Sequence, residues 1–163
     1  MSLARVLFSA AVVLGLFTSE ARAEKAVILV RHAEKVDQSK DAALSETGKQ
    51  RAQRLAQLLA RTGVTHVFTS EYIRTRTTAE PLARAAKVTP VVVSAADEAA
   101  LVKQIRALPH DAVVLVVGHS NTLPGLLKAL GHRGEVTIAD DEYGRVFMLV
   151  KREGGPALLE VAY

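Results

Sequence analysis

Apolar residues along this chain fall into short unbroken runs that alternate with stretches of three-to-four-residue rhythm. The sharpest run is Val27-Ile28-Leu29-Val30, with three β-branched residues in four, and it stops abruptly at Arg31-His32. Such a run predicts a strand buried on both faces. A helical rhythm follows over residues 47–61, where Ala52, Leu55, Ala56, Leu58 and Leu59 share one side, with Thr47 and Gln50 spaced as a capping box and Gly63 as the stop. Residues 64–69 predict a second strand, with Ser70 placed to cap a helix that runs to residue 86. Residues 90–93 predict a third strand and 95–108 a third helix. Residues 112–117 form the most hydrophobic run after the N-terminal segment and predict a central strand. A fourth helix is expected from the Gly118–Thr122 stretch through residue 130. Beyond Gly134 the rhythm changes to period two, predicting strands at 136–138, 145–151 and 157–161, joined by turns at Tyr143-Gly144 and Gly154-Gly155-Pro156.

Alternating strands and helices followed by a strand-rich tail predict a three-layer α/β/α sandwich, with a mostly parallel sheet and antiparallel C-terminal strands. Residues 1–23 stand apart from this pattern. Arg5 precedes an apolar stretch over residues 6–17, and Ala21-Arg22-Ala23 has the small-x-small form of a cleavage site. The expectation is a signal peptide at 1–23, a single domain at 24–163, and a periplasmic or secreted product. The apolar stretch is short for a membrane span, which needs roughly 20 residues, although retention as an anchor is the alternative. No other run is long enough to span a membrane.

Composition narrows the chemistry. The 163 residues are 49% hydrophobic but only 4% aromatic, so the core rests on Val, Leu, Ala and Ile. The net charge of +4 is mild and the basic residues are dispersed, which argues against a nucleic-acid partner. With no Cys, neither a disulfide nor a thiol nucleophile is available.

Three polar clusters follow three of the predicted strands: Arg31-His32, Ser70 to Arg74, and Gly118-His119-Ser120. Parallel strands present these ends on one edge, where α/β sheets bind ligands. Two guanidiniums and two imidazoles make a cationic pocket suited to a phosphoryl group. A helix start at Ser120 to Thr122 would add backbone donors. No carboxylate pair stands at metal-ligand spacing to the histidines, so no metal or other cofactor is expected. The available nucleophile is an imidazole nitrogen.

At these positions the sequence resembles the histidine phosphatases, the phosphoglycerate-mutase-like superfamily. Arg31-His32-Ala33-Glu34-Lys35 is similar to that family's Arg-His-Gly signature, with Ala33 in place of the glycine as in a subset of short bacterial members. Leu44-Ser45-x-x-Gly48-x-x-Arg51-Ala52 resembles its second segment, Ser70-x-x-x-Arg74-x-x-x-Thr78-Ala79 its third, and Gly118-His119-Ser120 its late Gly-His segment. The resemblance implies that His32 is the nucleophile that becomes phosphorylated, and that Arg31, Arg74 and His119 bind the phosphoryl group, with Ser120 and Asn121 as further binding candidates. The family's usual general acid lies in an insert after the third strand, which this chain lacks. Glu34 is the leading candidate for that role, with Asp97 and Glu98 behind it.

The implied activity is that of an exported phosphatase acting on small phosphorylated substrates. The alternatives are a phosphohistidine or phosphoprotein phosphatase, and a non-catalytic phosphate- or phosphosugar-binding module of the same fold. A mutase is disfavoured because the chain lacks inserts to close the site.

Overall fold

The computed structural model describes residues 26–152 and 154–163. The signal peptide expected at 1–23 lies outside the described residues. Six strands form one sheet in the order β3-β2-β4-β1-β5-β6. In chain order these are β1 (Ala26–Arg31), β2 (His66–Thr69), β3 (Val91–Val92), β4 (Val113–Gly118), β5 (Arg145–Val150) and β6 (Ala157–Ala162). The first four are mutually parallel, and β5 and β6 add antiparallel at one side. Four helices connect them: α1 (Glu46–Leu59), α2 (Ile73–Ala86), α3 (Glu98–Ala107) and α4 (Leu123–Ala129).

The two faces of β1 explain its unbroken apolar run. Val27 and Leu29 pack with Val102 and Ile105 of α3 and Leu123, Leu126 and Leu127 of α4. Ile28 and Val30 pack with Leu55 and Leu59 of α1 and Ala79, Leu82 and Ala83 of α2. β4 divides in the same way, Val114 and Val116 to one face and Leu115 and Val117 to the other. A strand with two buried faces has no polar alternation to show. The result is the α/β/α sandwich expected from the sequence.

Three local expectations are corrected. Ser45, not Thr47, caps α1: its Oγ accepts from Gly48 N at 3.1 Å. The backbone N of Ser45 donates to the Glu34 carbonyl at 2.9 Å, which fixes where the helix can begin. That helix ends at Leu59 with Ala60 as its C-cap, so Gly63, at φ +69°, turns the chain after the helix has stopped. Residues 136–138 form no strand: Val136 and Ile138 pack against the core while their backbone runs in an irregular loop.

The register positions the functional edge. Arg31 pairs with Gly118 and Val30 with Val117, while Thr69 pairs with Val117 from the other side. The His32 amide extends the ladder, donating to the Gly118 carbonyl at 2.9 Å. β1, β4 and β2 therefore end level, and the residues that follow them meet at one place.

Candidate active site

His32 and His119 follow the ends of neighbouring strands, and their ring centroids lie 5.2 Å apart. With Arg31, Arg74, Lys35, Gln38, Ser120, Asn121, Asp140 and Tyr143 they line a cleft of about 390 Å³. Thus Arg31, His32, Arg74, His119, Ser120 and Asn121 come together as expected. Both imidazoles are nearly withdrawn from solvent, at 4% exposure for His32 and 7% for His119.

The carbonyl of Ala33 fixes the tautomer of His32. Nδ1 lies 2.8 Å from this oxygen, and a carbonyl can only accept, so Nδ1 carries the proton. Nε2 is left with a free lone pair, the form a nucleophile requires. The protonation state agrees: His32 is lowered to about 3, chiefly by burial, opposed by the Ala33 hydrogen bond, and lowered further by His119, Arg74 and Arg31. Burial outweighs the neighbouring cations here.

His119 reaches from β4 towards β2, with Nε2 3.0 Å from Ser70 Oγ. Ser70 Oγ in turn lies 2.9 Å from Thr75 Oγ1, and Thr75 Oγ1 donates to the Tyr72 carbonyl at 2.9 Å. One proton arrangement fills all three contacts: His119 Nε2–H to Ser70, Ser70 to Thr75, Thr75 to the carbonyl. Ser70 is therefore a support for His119 and not the helix cap expected, since Tyr72 occupies the cap position of α2. Burial lowers His119 to about 4, Arg74 adding to the effect, Glu71 opposing it, and Arg31 lowering it further.

Each arginine is held in place by backbone carbonyls and an aromatic ring. Arg31 Nη1 donates to the Ala139 carbonyl at 2.7 Å and the Glu142 carbonyl at 3.1 Å, and its guanidinium stacks on Tyr143 at 4.2 Å. Arg74 Nη1 donates to the Lys40 carbonyl at 2.8 Å, and its guanidinium lies 4.2 Å from the Tyr72 ring centre. The Nε atoms of both are buried without a hydrogen-bond partner among the described residues. Donor capacity left unused on buried cations is costly to the fold and characteristic of a site built for an anion. The 139–143 loop was missed by sequence reading, because it engages Arg31 through two backbone carbonyls that carry no side-chain signature.

Other expectations are corrected. Glu34 does not line the cleft. Arg51 grips its carboxylate, with Nε 2.8 and 2.9 Å from the two oxygens and Nη2 2.6 Å from Oε1. Burial pushes the Glu34 carboxyl up, but the Arg51 hydrogen bonds prevail and the net shift is downward. A carboxylate fixed in its ionised form has no proton to donate. The helix start near Ser120 to Thr122 does not offer all its amides either: Thr122 N and Leu123 N both donate to the His119 carbonyl, at 3.1 and 3.0 Å. Asp97 caps α3, accepting from Ala100 N at 2.9 Å, and the Glu98 carboxylate lies against Gly125 of α4. Neither lines the cleft.

The histidines make stability pH-dependent. Folded, both remain neutral down to about pH 4, whereas in the unfolded chain they ionise near 6.5. The unfolded state then binds more protons between these values, so stability is fully present above pH 6.5 and declines as pH falls towards 4. Each contributes a slope of up to about 1.4 kcal/mol per pH unit. The expected NMR result is that both imidazoles hold their neutral chemical shifts at pH 5, with urea unfolding showing lower stability at pH 5 than at pH 7. Either ring titrating near 6.5 would contradict this.

Residues 27–101 match the family model of the Histidine phosphatase superfamily (branch 1). No curated protein sequence matches the chain. Solved structures share its fold at low identity. A mycobacterial glucosyl-3-phosphoglycerate phosphatase is 13% identical, with 85% of this chain and 97% of that one covered at a TM-score of 0.66. A phosphoserine phosphatase from Entamoeba histolytica, in complex with 3-phosphoglyceric acid, is 16% identical, with 85% and 97% covered at 0.65. The protein histidine phosphatase SixA, complexed with tungstate, is 18% identical, with 84% and 96% covered at 0.69.

Proposed function

From the match of residues 27–101 to the histidine phosphatase superfamily model and the shared fold, we propose that this chain is an exported phosphatase that hydrolyses phosphomonoesters through a phosphohistidine on His32. The observation that carries this reading is the bare Nε2 of His32 facing a cleft lined by Arg31, Arg74 and His119. Nε2 attacks phosphorus, the bond to the ester oxygen breaks, and the leaving group departs with the electron pair. Arg31 and Arg74 face the charge on the three equatorial oxygens, and fixed charge of this kind is usually the largest catalytic contribution. When the phosphoryl dianion binds, His119 takes a proton from solvent at Nδ1 and hydrogen-bonds a phosphoryl oxygen with it, keeping the proton until phosphate leaves. Water then attacks the phosphohistidine and phosphate leaves.

Export rests on the pattern of residues 1–23. The cleft supports a small phosphorylated substrate: it is lined mainly by polar groups, and the link from β3 to α3 is too short to form a lid. One experiment tests the reading. The protein is produced with its full sequence in a bacterium, the exported fraction is sequenced from its N-terminus, and phosphate release is measured on a panel of phosphomonoesters and a phosphohistidine peptide. The expected result is a product beginning at Glu24 that releases phosphate from the esters. A chain beginning at Met1 would remove the export proposal. Release from the phosphohistidine peptide alone would replace esters as the substrate class, and phosphate binding without any release would leave a binding module.

A further inference from the structure

Transfer of a phosphoryl group to His32 expels an alkoxide unless a proton reaches the leaving oxygen, and an alkoxide is a poor leaving group near neutral pH. Of the carboxylates that the sequence offered for this, Glu34 is engaged by Arg51, Asp97 caps α3, and Glu98 lies beside α4 and does not line the cleft. Glu71 accepts from Ala95 N at 2.8 Å and does not line the cleft. Among the described residues, the one carboxylate that does line it belongs to Asp140.

Asp140 is held from two sides. The carbonyl of the preceding residue, Ala139, accepts from Arg31 Nη1 at 2.7 Å. On the other side Ser120, which directly follows His119, donates from Oγ to Asp140 Oδ1 at 3.2 Å. The carboxylate is thereby held by Ser120 beside His119, while Arg31 holds the backbone of the preceding residue. The Ser120 bond engages one oxygen, and the second is available to exchange a proton. The remaining charged groups of the cleft are Lys35 and Arg74, neither of which can supply a proton to an alkoxide and recover it from water as readily as a carboxyl group.

Resting on the phosphatase reading, we propose that Asp140 is the general acid and then the general base of this site. On this path Asp140 enters the first step carrying the proton, beside the bound phosphoryl group. As Nε2 of His32 bonds to phosphorus and the ester P–O bond breaks, the Asp140 proton passes to the leaving oxygen and an alcohol departs. Water then attacks the phosphohistidine, Asp140 takes one water proton, the N–P bond breaks back onto Nε2, and phosphate leaves with Asp140 reprotonated. Ser120 is a positioning residue that orients the carboxyl group.

The test compares Asp140→Asn with the unaltered protein on two substrates, glycerol 2-phosphate, whose alkoxide needs a proton, and p-nitrophenyl phosphate, whose phenolate does not. The ratio of alkyl to aryl kcat/KM is expected to fall about 100-fold, the lower range for a positioned acid, with a smaller fall in Ser120→Ala. Asp140→Ser is measured alongside, and a thermal melt establishes that each variant is folded. A ratio within about threefold of the unaltered protein in both Asp140 variants would overturn the proposal. Labelling of His32 by aryl phosphate separates the two levels. Label on His32 with an unchanged ratio removes Asp140 alone, whereas no label and no phosphate release in the unaltered protein removes the phosphatase reading with it.

Discussion

His32→Ala is expected to abolish phosphate release and phosphoenzyme formation together, while His119→Ala slows release by about two to three orders of magnitude and still permits label on His32. The two rings lie 5.2 Å apart and are similarly buried, so burial alone does not distinguish them. Their partners do. His32 gives its Nδ1 proton to the Ala33 carbonyl, which exposes Nε2 as a lone pair. His119 has its Nε2 engaged by Ser70, in a hydroxyl chain that ends on a carbonyl. With its Nε2 proton committed to Ser70, His119 donates to a phosphoryl oxygen through Nδ1 once that atom is protonated, and losing one such donor costs roughly 3 kcal/mol in the transition state. In the proposed function the nucleophile is His32, at the Arg31-His32 motif position with Nε2 as its free nitrogen, and neither guanidinium could replace it because neither is deprotonated in proteins. Rapid-quench labelling, with the acid-labile and base-stable adduct mapped by peptide, gives the outcome. Label on His119, or steady turnover in His32→Ala, would reverse the assignment.

The sequence made visible what depends on runs of residues, and left hidden what depends on partners far along the chain. β1 and β4 could be read because strands buried on both faces leave continuous Val, Ile and Leu. Their ends could be read as well, since Arg31-His32 and His119 follow directly and the register brings them level. Ser70 was read as a cap because serine after a strand commonly is one, yet its partner lies 49 residues away on His119. Glu34 was read as an acid because it stands two residues from His32, yet Arg51, 17 residues on, neutralises it. The apolar spacing of residues 136–138 suggested a strand. There the side chains of Val136 and Ile138 reach the core without strand pairing, which leaves the carbonyls of Ala139 and Glu142 to hold Arg31. In each case local chemistry was compatible with two roles, and a contact invisible in the linear order decided between them.

Gly48→Ala is expected to destabilise the protein and impair the site at once, although Gly48 touches no residue of the cleft. Within a helix, alanine is favoured over glycine by about 1 kcal/mol, so an unobstructed position would gain stability. Gly48 is buried in the first turn of α1, and a Cβ there would stand 2.3 Å from the Glu34 carbonyl oxygen and 3.0 Å from its nitrogen. Both obstacles are backbone, so no rotamer change relieves them. The first turn must move away, straining the Ser45 N to Glu34 O bond of 2.9 Å, or Glu34 must move. Glu34 lies two residues beyond His32, and Ala33 between them donates from its amide to Thr78 Oγ1 at 3.0 Å. Either displacement is transmitted to the loop whose Ala33 carbonyl fixes the His32 tautomer. Overpacking typically costs about 1–3 kcal/mol and sometimes more, and obstruction by two backbone atoms places this site at or above the upper end. After the helix-propensity gain is subtracted, the net loss is about 2 kcal/mol, a fall in Tm of about 6 °C for a domain of this size. Because misplacement of a reacting group by about 1 Å can cost 100-fold in rate, kcat on p-nitrophenyl phosphate should fall at least tenfold in the protein that remains folded. Gly63→Ala is the comparison: that position has open space but a φ of +69°, so it carries backbone strain without a collision and should leave kcat intact. An unchanged or raised Tm in Gly48→Ala would mean that α1 does not approach the end of β1 as closely as this, and that the second motif segment supports the site by some other contact.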